Sequence, residues 1–231
     1  MAESTLAIFD LDGTITRHDT LWPYISGYLL RHPGRWWRLP LCLAPLLRYF
    51  IAGRDRAALK SAVIRLTLGG LPRADLDAWT AAFTRRLLHR GLYGEALTCI
   101  AAHQRAQAHL VLLSASPDLY VPEIAARLGF DECICTELRW QADGTLDGTL
   151  YSPNRRGAEK TRCVRALLAE RQPLLAHAYG NSRADLDHLR LVSAGTYVNG
   201  RPRDVQDLPS VRAVRWKAHG DAGTLAAGSG L

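Results

Sequence analysis

Apolar positions along this chain fall into two rhythms. Short, nearly uninterrupted runs at Leu6 to Phe9, Leu110 to Leu113, Glu132 to Thr136 and Leu174 to Tyr179 have the length of strands. Runs that are apolar on both faces suit a parallel sheet covered on each side by helices. Elsewhere the spacing is helical: Leu76, Trp79, Phe83 and Leu87 recur within 76–88, and Ala96, Leu97, Ile100 and Ala101 predict the inner face of a helix from Tyr93 to Gln107. A further helix is expected from Lys160 to Arg171, a small hairpin turning at Asp143-Gly144, and a last short strand at Thr196 to Val198. Ser116 followed by Pro117 predicts a helix start, with the serine as cap.

A single crossover helix joins two parallel strands, yet a long helical region separates Phe9 from Leu110. The expected fold class is therefore α/β: a Rossmann-like parallel sheet core with an inserted helical cap. The core is assigned to 1–16 and 91–219, the cap to 17–90, and a Gly/Ala-rich tail to 220–231. Inside the cap, Trp36 to Ala52 is apolar on nearly every face but is interrupted by Pro40 and Pro45. A short, proline-broken run predicts a helix pair buried against the other cap helices. The alternative is a surface lying on a bilayer, with Arg31, Arg35, Arg38 and Arg48 meeting lipid phosphates.

Composition narrows the partners. The net charge of +7 allows anionic ligands, but only three of the 29 basic residues are lysines and the arginines form no dense block, which argues against a nucleic-acid footprint. Five cysteines, Cys42, Cys99, Cys133, Cys135 and Cys163, have no metal-ligand spacing and read as reduced thiols. With no basic-then-apolar leader pattern at the N-terminus and no uncharged run of transmembrane length, a cytoplasmic protein is expected.

The chemistry gathers where strands end. Asp10-Leu11-Asp12-Gly13-Thr14 sets two carboxylates one residue apart after the first apolar run, at the carboxyl end of a strand, where open α/β sheets bind ligands. Ser114 stands at the tip of the second strand, and Lys160 heads a helix, where the dipole favours an anion over a cation. Gly180-Asn181-Ser182-Arg183-Ala184-Asp185-Leu186-Asp187 adds a second polar group after the fourth strand. Each piece alone has an ordinary explanation in turns and helix caps.

Taken in order, the set resembles the haloacid dehalogenase superfamily, and in particular its phosphoserine-phosphatase-like branch; Asn154, Gly157 and Lys160 match that branch's approach to its lysine motif. The resemblance implies a Mg²⁺-dependent phosphomonoesterase working through an aspartyl-phosphate. In it, Asp10 is the nucleophile, Asp12 the acid and base, and Ser114, Lys160 and Gly13 hold the phosphoryl group. It also implies a metal site from Asp10, the Asp12 carbonyl, Asn181 and Asp185. Many relatives have aspartate where this chain has Asn181, which removes one negative charge, with Asp187 as a conceivable substitute ligand. Asp19 matches the position that binds a substrate ammonium, while the position of the carboxylate-binding arginine falls on Val63 or Ile64, with Lys60 or Arg65 as replacements. That combination points to a small phosphorylated amino alcohol or amino acid, of the histidinol phosphate or phosphoserine type. A lipid-phosphate phosphatase acting at a membrane surface is the alternative.

Overall fold

A computed structural model describes residues 5–217 apart from 52 and 54. The expected tail at 220–231 lies outside the described residues.

The first strand, β1 (Thr5–Phe9), sits in the middle of a six-stranded sheet and explains the sheet's two-sided covering. Its side chains alternate: Ala7 and Phe9 join one buried cluster, Leu6 and Ile8 the other. The chain then enters the insert: α1 (Leu21–Arg31), two 3₁₀ turns (Pro33–Arg38 and Pro40–Cys42), α2 (Leu43–Ile51), α3 (Arg56–Leu68) and α4 (Arg73–Arg90). It returns through α5 (Gly94–Arg105), β2 (His109–Pro117), α6 (Val121–Leu128) and β3 (Glu132–Thr136). A separate antiparallel hairpin, β4 (Leu138–Trp140) and β5 (Leu146–Leu150), precedes α7 (Ala158–Arg171). The remaining elements are β6 (Leu175–Gly180), α8 (Leu186–Leu189), β7 (Ala194–Val198) and β8 (Val211–Val214). The sheet order is β3-β2-β1-β6-β7-β8, parallel throughout.

The order reverses between β2 and β6 on either side of β1, so the carboxyl end of β1 opens onto the crevice where such sheets bind ligands. The insert is bonded tightly to the rest of the chain. Tyr24 and Phe83 from the insert pack with Tyr120, Trp79 packs on both Tyr24 and Phe83, and the Tyr24 hydroxyl lies 2.8 Å from Thr80 Oγ1. The β4–β5 hairpin leans on α3: a Cβ on Gly148 would lie 2.7 Å from Arg65 Cα, and Leu146 exchanges backbone hydrogen bonds with Gly70 and Leu71.

Several expectations need correction. Ser116 and Pro117 do not start a helix; β2 runs through them and α6 begins at Val121, because pairing with β3 at Pro117–Thr136 extends the strand. On α5, Ala96 and Ile100 face inward while Leu97 and Ala101 are exposed. The sheet also has an edge strand, β8, whose short Val-Arg-Ala-Val run is too polar to stand out by pattern. The largest correction concerns the segment 36–52, of which 52 lies outside the described residues. No residue of Pro33–Ile51, all of them described, is buried. Pro33 and Pro40 open two short 3₁₀ turns, Pro45 sits in the first turn of a nine-residue helix that touches α3 along one edge, and Trp37 in the turns and Leu47, Phe50 and Ile51 on the helix are left in solvent. Among the described residues, no helix is long and apolar enough to cross a membrane.

Candidate active site

Backbone geometry builds the site from β1 outward. After Phe9 the chain turns at Gly13, whose φ of +76° is a left-handed conformation that glycine adopts without strain. Space demands glycine there as well: a Cβ would come within 2.0 Å of Asn181 Nδ2. The turn hangs on Leu11, whose carbonyl accepts the N–H groups of Thr14, Ile15 and Thr16. This presents Asp10 and Asp12 on one cavity of ≈ 400 Å³ that is also lined by Gly13, Lys160, Asn181 and Asp185.

Asp10, Lys160 and Asp185 form a buried charge triad. Lys160 Nζ donates to Asp10 Oδ1 at 2.7 Å and to Asp185 Oδ1 at 3.1 Å, and all three side chains are more than nine-tenths buried. Burial pushes the Asp10 carboxyl up to about 6, repulsion from Asp185 and Asp12 adds to that, and Lys160 opposes it. Burial also acts against a charged Lys160, yet its two carboxylate partners hold its pKa above the ordinary lysine value. Burial works against an ionised Asp185 too; the Lys160 charge outweighs it and, with His188 and the Ser182 hydrogen bonds, holds Asp185 at about 2. Ser182 donates both its N–H and its hydroxyl to Asp185 Oδ2, at 2.9 and 2.7 Å, closing a capping box that fixes this carboxylate.

Asp12 is held by different partners. Its Oδ1 accepts the N–H and the hydroxyl of Thr20, both at 2.7 Å, and its Oδ2 accepts the Ser116 hydroxyl at 2.5 Å. Tyr120 backs this set, its hydroxyl 3.0 Å from Thr20 Oγ1. Burial raises the Asp12 pKa, and the bonds from Ser116 and Thr20 counter it. The two aspartates therefore have separate environments: one is paired with a lysine, the other is fixed by hydroxyl and amide donors.

The remaining sequence-predicted residues divide. Gly13 and Asn181 line the cavity, and Asp19 lies at its mouth, with Oδ1 accepting the N–H groups of Leu21 and Trp22 at the start of α1. Ser114 is fully buried and its hydroxyl accepts the Ser116 N–H at 3.0 Å; Ala115 and Ser116 stand on the cavity wall instead. Asp187 is exposed and pairs with Arg190, which removes it as a substitute ligand. Lys60 reaches the cavity and donates to Ala115 O and Asn154 Oδ1, each at 2.6 Å, whereas Arg65 stands away from it against β5.

Thr20, Ser116, Arg56 and Arg156 are site residues that the sequence reading did not assign. Ser116 could have been found, since residues two apart on a strand share a face. Thr20, Arg56 and Arg156 carry no such signal, because the fold alone brings them to the cavity wall.

The donors suit a hard divalent cation such as Mg²⁺. Asp10, Asp12, Asp185 and Asn181 offer oxygen ligands, the donor type that Mg²⁺ prefers. Among the described residues, no three His, Cys, Asp or Glu side chains converge as a ready-made metal cluster. Mg²⁺ nevertheless needs few protein ligands, because it keeps several waters.

The parallel sheet, its switch point and the aspartate-lined cavity at the end of β1 define an α/β fold with a candidate active site. The haloacid dehalogenase-like hydrolase family model matches residues 7–190, and the chain belongs to that family. It is 32% identical over 202 residues to Protein CicA of Caulobacter vibrioides, covering 87% of this chain and 89% of that protein. The fold is similar to a Bordetella pertussis Tohama I protein of unknown function, at a TM-score of 0.75 and 21% identity over 91% of this chain and 98% of the other. It is also similar to a phosphoserine phosphatase solved as a phospho-aspartyl intermediate analogue, with a TM-score of 0.62, 15% identity, and coverage of 90% of this chain and 93% of that one.

Proposed function

We propose that the protein is a Mg²⁺-dependent phosphomonoesterase that works through a phosphoryl group carried on Asp10. The buried Asp10–Lys160–Asp185 triad beside a separately held Asp12 is the observation that supports it. Asp10 attacks phosphorus, a P–O bond to its carboxylate forms, and the P–O bond to the alcohol breaks. Asp12 gives its proton to the departing alkoxide; it then takes a proton from the water that attacks phosphorus, releasing inorganic phosphate and restoring Asp10. Lys160 offsets the charge that develops on the phosphoryl oxygens. Asp10, the Asp12 carbonyl, Asn181 and Asp185 would hold Mg²⁺, which would supply neutralisation of the phosphate dianion against these carboxylates.

Two readings of the alcohol follow from the walls of the cleft. A compact amino alcohol or amino acid, of the histidinol phosphate or phosphoserine kind, would set its ammonium against Asp19 at the mouth. An alcohol bearing a hydrocarbon chain is favoured by a specific observation: the wall containing Asp19, Leu21, Arg56 and Lys60 is shared with a second, largely apolar cavity.

The chemistry is tested by Asp10→Asn with p-nitrophenyl phosphate. The expected result is loss of turnover by at least about 10³-fold, with an acid-quenched wild-type sample carrying one phosphoryl group on the Asp10 peptide. Unchanged turnover in Asp10→Asn would refute the mechanism.

A further inference from the structure

The second cavity and the exposed segment above it belong together. The cavity holds ≈ 580 Å³, a volume within the range of small-molecule pockets, and is walled by Leu21, Ile25, Leu43, Leu46, Leu59 and Val63. Among the described residues its charged wall residues, Asp19, Arg56 and Lys60, are ones it shares with the catalytic cavity. An amphiphile with its phosphate at Asp10 would thus pass a cationic neck and place its chain against aliphatic side chains. A compact, fully polar substrate has no use for such a chamber.

The outer rim of the chamber is the segment expected to be buried. Leu43 and Leu46 line the chamber, while Leu47, Phe50 and Ile51 on the same helix, α2, point to solvent with 60%, 63% and 82% exposure. Trp22, Leu30, Trp36 and Trp37 continue the apolar surface. Contiguous exposure of this kind marks a binding surface. Charge identifies what it binds. From Thr20 to Ile51 the chain carries Arg31, Arg35, Arg38 and Arg48 and no aspartate or glutamate. Arg35 and Arg38 are half-buried and donate to the carbonyls of Leu66, Thr67 and Gly69 at the end of α3, which locks the turns in place; Arg31 and Arg48 are exposed beside the apolar residues. Aromatic and aliphatic residues with arginines and no acid between them complement the interface of an anionic bilayer. α2 is nine residues long, so it can lie in that interface but not cross it.

We propose that the cap docks on an anionic membrane surface through α2 and the preceding turns, and that the adjoining chamber takes the hydrocarbon part of a long-chain phosphomonoester drawn from it. This deepens the phosphatase reading and rests on it for the fate of the phosphate. It replaces the compact amino alcohol with a lipid phosphate as substrate class.

Two measurements test the two halves, both on the full chain. The first is co-sedimentation with phosphatidylcholine vesicles, with and without about one third phosphatidylglycerol, for wild type and for Leu47→Glu/Phe50→Glu, which lie outside both cavities. Wild type should pellet with the anionic vesicles and remain in the supernatant with the neutral ones. The double variant should remain in the supernatant with both while hydrolysing p-nitrophenyl phosphate at the wild-type rate. Failure of wild type to bind anionic vesicles, or light scattering that shows a dimer abolished by the same two substitutions, overturns the membrane half; the face is then an interface for a second copy.

The second measurement is kcat/KM for monomeric butyl, hexyl and octyl phosphate. It should rise at least about tenfold across the series, since each buried methylene contributes several-fold, and Val63→Trp should flatten that rise. A flat series in wild type overturns the chamber as a lipid site. If wild type fails on p-nitrophenyl phosphate with Mg²⁺, the catalytic reading fails, while vesicle binding is still read by sedimentation.

Discussion

Gly13→Ala is the most informative small change in this protein. The new Cβ would stand 2.0 Å from Asn181 Nδ2 and 2.9 Å from its Cγ. Ordinary contact is about 3.5 Å, so the amide must retreat by roughly 1.5 Å. Asn181 cannot move as a unit, because the chain after it is pinned by the Ser182–Asp185 capping box. The amide must rotate away from the cavity it lines. Forcing alanine to a φ of +76° costs about 1–2 kcal/mol, and the stiffer unfolded chain returns about 0.4–1 kcal/mol. The net strain of about 1 kcal/mol corresponds to a fall in Tm of about 2–4 °C for a chain of this size. On the proposed ligand set, Mg²⁺ affinity should fall much further, by about 10–100-fold, because the Asn181 oxygen is displaced.

Calorimetric Mg²⁺ titration of Gly13→Ala, Asn181→Ala and the double variant separates strain from displacement. In the Asn181→Ala background the clashing atoms are gone, so Gly13→Ala should change Mg²⁺ affinity by no more than about twofold while still lowering Tm. Equal loss of affinity in both backgrounds would refute the reasoning.

Other expectations follow from the same geometry. Asn181→Asp should bind Mg²⁺ about tenfold more tightly, since a carboxylate replaces an amide; unchanged affinity by titration would remove Asn181 from the ligand set. Ser116→Ala or Thr20→Val should lower kcat about 10–100-fold, the worth of one charge-assisted hydrogen bond to Asp12, and a steady-state assay that finds kcat unchanged would show that Asp12 needs neither partner. Lys60 is held at about 8 by burial, with Arg156 and Lys160 pushing the same way and Asp12 and Asp19 opposing. The free enzyme therefore loses this cation as pH rises through 8, and KM for p-nitrophenyl phosphate should climb between pH 7 and 9. In Lys60→Met, KM should be high and flat over that range. Because the folded pKa is depressed, the unfolded chain binds more protons between 8 and the ordinary lysine value of 10.5, so the same group makes stability increase with pH there. A wild-type melting series with no such trend relative to Lys60→Met would contradict it.

Much of the core was readable because parallel strands buried on both faces leave short apolar runs of strand length. Leu6 to Phe9 and Leu110 to Leu113 are such runs, and the residues that follow them stand at the crevice by topology alone. β8 was not readable, since an edge strand buries only part of one face. The Ser116-Pro117 pair carried a valid local signal for a helix start, and pairing with β3 overrode it. In the site, Asp10, Asp12, Lys160 and Asp185 announced themselves by position at element ends. Thr20 and Arg56 did not, because each lies within the insert and reaches the site only through the way that insert folds back. The segment 36–51 was misread for a related reason: hydrophobicity reports a preference for leaving water, and cannot say whether protein or another apolar phase receives it.

The buried cluster that passes from Leu11 and Ile15 through Tyr24, Trp79 and Tyr120 to Leu146 is continuous across the insert, the sheet and the hairpin. The insert consequently has no hydrophobic interior of its own. Cut out as a fragment it would carry half a core, and grafted onto another scaffold it would expose the other half. The fold is therefore open to point changes at the exposed rim of the insert and closed to wholesale exchange of the insert itself.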